Sequence, residues 1–146
     1  MTTCTFASDD AVAEIAEGVI ARTLPKARWT HAAHVAAAVW LVARRPDLDP
    51  ERDMPGLIRA YNEATGVRNT DTEGYHETIT QASLRAVRAG LARLPADTPT
   101  HVAVEVLLAD GLGRSDWLLA YWSKPALFSV EARRRWVEPD LAPLPF

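Results

Sequence analysis

Apolar residues recur at helical spacing through most of the chain, and prolines, glycines and capping side chains divide the pattern into segments. Val12, Ile15, Val19 and Ile20 form the first stripe. Ser8 can cap it, Asp9 and Asp10 suit the positive end of its dipole, and the helix should stop before Pro25. Trp29 precedes a second cap, Thr30, and is placed to fold back over the first turn of a helix from about His31 to Arg45, ended by Pro46. Asp53 predicts the cap of a third helix, with Pro55 in its first turn, Gly66 just beyond its end, and Leu57, Ile58 and Tyr61 on its buried side.

Thr70 and Glu73 match the S/T-x-x-E capping box and predict the longest helix, from about Asp71 to Leu94. Thr98-Pro99 predicts a short apolar helix, Val102 to Ala109, closed by Gly111 and Gly113. The alternation in Val102–Val106 also fits a strand, but the cap and proline favour helix. Ser115 predicts the cap of a segment through Trp122, Pro125 its break, and Ser129 the cap of a last helix through Trp136. Pro139 to Phe146 is proline-spaced and apolar, which suits an extended tail on the surface of a bundle. The expectation is an all-α fold: one domain over residues 1–146, a helical bundle of about five to seven helices with an extended, proline-containing C-terminal tail.

Composition narrows the function classes. Nearly half the 146 residues are hydrophobic and about a quarter charged, as in ordinary globular domains, and a net charge of −3 offers no basic footprint for nucleic acid. The Arg133-Arg134-Arg135 cluster reads as a solvated helix face. Cys4 is the only cysteine, so neither an internal disulfide nor a cysteine-based zinc site can form, and its place near a terminus argues against a catalytic thiol. The first residues do not read as a secretory signal, and no apolar run approaches the ~20 residues of a membrane span. A cytoplasmic location without membrane or nucleic-acid partners is expected.

Candidate chemistry follows from the wheel. At about 100° per residue, His76 falls in the apolar arc of the predicted fourth helix together with Thr80 and Ser83, whereas Glu77 leans to the polar edge. On the second helix His31 points to the centre of the side defined by Val35, Val39, Leu41 and Val42, and His34 lies beside it at i+3. Three of the four histidines thus point inward near helix N-termini, where dipole and burial both favour the neutral imidazole a metal requires. His31, His34 and His76 are therefore the candidate ligands of a divalent metal: zinc, iron, manganese, copper or nickel. Such an ion could activate water or polarise a small substrate, with Glu73, Tyr75 and Thr80 as candidates to move a proton or hold it. Glu73 also stands in Glu-x-x-His spacing to His76, the di-iron pattern, but only once, and His101 reads as exposed.

Trp29-Thr30-His31 with His34, then Tyr61-Asn62, Asn69-Thr70 and Gly74-Tyr75-His76-Glu77-Thr78, resembles a pattern of small uncharacterised bacterial all-helical proteins, over about residues 24 to 92. That resemblance implies a histidine site and no particular chemistry. More loosely, three helical histidines are similar to the metal-dependent DinB-like bundles, which carry the lone histidine first and a His-x-x-x-His pair late, the reverse of the order here. The leading expectation is an intracellular helical protein with a metal-binding histidine pocket for a small molecule. Two alternatives stand beside it: a metal-free module binding a small polar ligand, and a structural or homo-oligomeric interaction protein using the Trp-rich C-terminal helices.

Overall fold

Ser8 opens α1, Asp9–Ile20, by accepting a hydrogen bond from Ala11 N with its side chain. The structure, a computed structural model, describes residues 5–146, so Cys4 lies outside the described residues. Thr30 caps α2, His31–Arg44, in the same way, through Ala33 N. Trp29 does fold back as its position predicts: its ring stacks on His34 at 3.9 Å and meets Tyr61 edge-on at 5.6 Å. Four small residues of α2, Ala33, Ala36, Ala37 and Ala38, are buried, and this lets α1, α3, α4 and α5 all pack directly against it.

α3, Pro50–Ala64, starts earlier than predicted because Asp49 is its cap, accepting from Arg52 N. Asp53 has the reciprocal role: its carboxylate accepts from Asp49 N at 2.8 Å. Pro55 consequently lies inside the helix, where it cannot donate to the carbonyl of Glu51 four residues back. Gln81 Nε2, from α4, donates to that freed carbonyl at 3.0 Å and ties the two helices together. Gly66 just past the end has φ +82°, the left-handed geometry expected there.

The largest departure is α4, which runs Glu77–Ala92 and not from Asp71. Thr70 does accept from Glu73 N, at 3.2 Å, but Thr70 N also donates to Glu73 O, so the segment closes on itself as a turn. Gly74 then reverses the chain at φ +82°, pressed so closely against Asn69 that a Cβ would stand 2.3 Å from Arg68 O. Asn69 Oδ1 holds this loop by accepting from Asn62 Nδ2 and Tyr75 N, both at 3.0 Å. With the loop so fixed, the helix can begin only after residue 75.

α5, Thr100–Leu107, continues into a wide turn over Leu108–Leu112, where Gly111 at φ +115° breaks helical geometry. Thr98 does not cap α5; its hydroxyl donates to Pro95 O at 2.7 Å. After a tight turn at Trp117–Ala120, Ser123 caps α6, Lys124–Leu127, and Pro125 occupies its first turn, so this proline starts a helix where a break was expected. Ser115 makes no capping bond, while Ser129 caps α7, Val130–Arg134. The tail is extended and bound to the body: Leu141 N donates to Tyr121 O at 2.9 Å, and Ser123 bonds Asp140.

Seven α-helices and no strand are found among the described residues, and none of the helices is long and apolar enough to cross a membrane. The main core joins α1, α2, α4 and α5 through Val12, Val39, Leu84, Val87, Val104 and Leu107. A second core gathers Ala82, Leu118 and Leu127 around Trp122, which is fully buried and donates to Val137 O at 2.9 Å. Trp122 is thus a packing residue and presents nothing to a partner.

Candidate functional site

His76 points inward, as its position on the wheel suggests, but its two nitrogens are committed to the fold. As the N-cap of α4 it accepts from Ile79 N at Nδ1, 3.1 Å away, and Nε2–H donates to Leu127 O at 2.7 Å. This pair of bonds fixes one neutral tautomer, and burial, the largest effect, lowers the ring's pKa. The late start of α4 is what turns a helical residue into a cap. It also removes His76 from the face that the wheel shares with Thr80.

His31 and His34 remain together, on the wall of a cavity of about 120 Å³. α2 supplies these two rings with Val35, α3 supplies Met54 and Ile58, and α4 supplies Thr80, Ser83 and Leu84. Leu112, Ser115, Trp117 and Leu118 close the far side. His31 Nε2–H donates to Leu112 O at 2.6 Å, so this ring pins the turn after α5 over the cavity. The Thr80 and Ser83 hydroxyls donate back to His76 O and Ile79 O in their own helix, at 2.9 and 2.7 Å, which leaves their oxygen lone pairs as acceptors.

His34 differs from the other two histidines. Among the described residues its nitrogens have no hydrogen-bond partner in the protein, and its ring lies against Trp29, tilted by 31°. The residue retains substantial accessible surface, yet its pKa is lowered to about 4, by burial first and by the neighbouring His31 second. The ring is open at the cavity wall, while Trp29 and His31 crowd its other sides and disfavour the charged form. At neutral pH it is an uncharged imidazole with one donor and one acceptor unused.

The remaining sequence candidates separate. Thr80 lines the cavity; Glu73 and Tyr75 do not. Glu73 is exposed on the Thr70 turn. Tyr75 is buried, its hydroxyl donates to Glu77, and Arg59 covers its ring at 4.5 Å; burial and the Glu77 carboxylate both push its pKa up. A phenol held this way is poorly suited to release a proton near neutral pH. His101 accompanies Asp9, with Nδ1 2.6 Å from its carboxylate, and joins α5 to α1 away from the cavity.

The three-histidine metal centre does not fit this placement. His76 offers no free nitrogen, and among the described residues no group of three histidine, cysteine, aspartate or glutamate side chains is arranged to hold an ion. What sequence reasoning missed is the contribution of residues 112–118 to the cavity, for which periodicity gives no signal. Comparison with protein-family models, with curated proteins and with solved structures finds no match to this chain.

Proposed function

We propose that the cavity of His31 and His34 is a metal-free binding site for a small neutral molecule, one that pairs a polar group with His34 and lays an apolar body on Val35, Ile58, Leu84 and Leu118. The observation that carries this is the unpartnered, uncharged imidazole of His34, facing a largely apolar space. With both nitrogens unpartnered in the protein, this ring has a donor and an acceptor to offer a guest at the cavity wall. At about 120 Å³ the space is close to the ~150 Å³ of an apolar cavity that admits benzene, which sets the size of the guest. No carboxylate, thiol, lysine or arginine lines the cavity beside the two imidazoles, which favours hydrogen bonding to a guest over catalysis. A reducing cytoplasmic setting accords with a chain that has one cysteine.

Phenol is the simplest probe: neutral, benzene-sized, with one hydroxyl. In imidazole nitrogen NMR spectra it should shift the His34 signals saturably and leave those of His76 unmoved, and His34→Ala should abolish saturation. Chelator should change nothing, and zinc should not raise the melting temperature beyond a non-specific control. Linear, unsaturable shifts with phenol would overturn the proposed site, and loss of binding on chelation would restore the metal.

A further inference from the structure

A second recess, of about 150 Å³, lies among α3, the Asn69–Asp71 loop and α7, and shares no lining residue with the histidine cavity. Three guanidinium groups border it, those of Arg59, Arg133 and Arg134, against one acid, Asp71. Both oxygens of Asp71 are engaged by Arg134, in parallel bonds of 2.8 and 2.6 Å. Arg133 donates to the carbonyls of Gly74 and Tyr75, at 3.0 and 3.3 Å, which orient it without neutralising it. The Arg59 guanidinium lies on the Tyr75 ring and, among the described residues, has neither an ion pair nor a hydrogen bond; only the Arg59 carbonyl is engaged, by Asn69. Three positive charges less one negative leave this lining at +2, within a chain whose net charge is −3.

Guanidinium groups drawn around one small space repel each other unless an anion joins them. Each has a planar fork that matches the oxygens of phosphate, and forks that arrive from two separate helices suit a tetrahedral anion better than a single planar carboxylate. The scaffold that aims them is rigid: left-handed Gly74 presents its carbonyl to Arg133, and Tyr75 supports Arg59 from below. We propose that this recess binds a dianionic phosphate group, either the free ion or the end of a small monoester, between Arg59 and Arg133.

The test uses the full chain and inorganic phosphate at pH 8, with ionic strength held constant by chloride. Arginine Nε–H and Tyr75 amide signals should shift saturably, and sodium acetate should not reproduce the effect. Arg59→Gln, at an exposed helical position, should weaken binding at least about tenfold, whereas Lys26→Gln, the same charge change elsewhere on the surface, should leave it unchanged. Methyl phosphate binding as tightly as phosphate would assign the site to an ester, and weaker binding to the free ion. Failure to saturate, or equal weakening by Arg59→Gln and Lys26→Gln, would overturn the proposal.

Discussion

Replacing His76 by alanine distinguishes a structural cap from a metal ligand. The substitution removes the acceptor for Ile79 N, and loss of a side-chain N-cap costs about 1 kcal/mol. It also leaves Leu127 O, in a residue only 2 % exposed, without its donor, at roughly 1–3 kcal/mol. Together these predict a loss of about 2–4 kcal/mol, or roughly 6–12 °C in melting temperature for a domain of this size. His76→Asn separates the two contributions: asparagine is a preferred cap but is too short to follow the imidazole to Leu127, so it should recover about 1 kcal/mol over alanine. Urea unfolding of the three proteins, with and without chelator, measures all of this. A loss under about 1 kcal/mol for alanine, or an asparagine variant no better than alanine, would refute the capping role. A wild-type advantage that disappears with chelator would refute it in favour of a ligand.

Gly74→Ala should cost more than about 2 kcal/mol in urea unfolding, since a left-handed alanine alone costs about 1–2 and its Cβ would strike the Arg68 carbonyl; Gly56→Ala, inside α3 with nothing within 4 Å, should instead stabilise by about 0.5–1 kcal/mol. In pH dependence, His34 and His76 have pKa values below that of an unfolded histidine, near 6.5. The unfolded chain therefore binds more protons below that value, and stability should fall from pH 6.5 towards pH 4, above the range where the salt-bridged aspartates titrate. His34→Gln should flatten part of this slope, and an unchanged slope would contradict the depressed pKa.

The helices were legible wherever a cap and an apolar stripe agree within a few residues. Ser8, Thr30 and Ser129 each cap as their positions predict, because the backbone N–H that each accepts from lies only one turn on. The start of α4 was not legible for the opposite reason. Thr70 and Glu73 satisfy a local rule, but Asn62, Asn69 and Arg133 override it, and the last of these lies far along the chain. The inward direction of His76 could be read from its apolar surroundings. Its partner could not, since Leu127 contributes a backbone carbonyl, a group every residue carries. At His31 and His34 the spacing alone was sufficient to place both rings on one wall, because nothing disturbs α2 between them.

The cavity wall contributed by Leu112, Ser115, Trp117 and Leu118 gives the site a particular relation to folding. α1 to α4 can form most of the main core, yet the space beside His34 has no far side until residues beyond α5 have docked. On the proposed function, guest binding and docking of the segment beyond α5 form one coupled equilibrium, so a guest should slow amide hydrogen exchange in residues 108–127 more than in α1. A guest of the proposed site would then be registered in the order of the C-terminal part, against a wall fixed by α2.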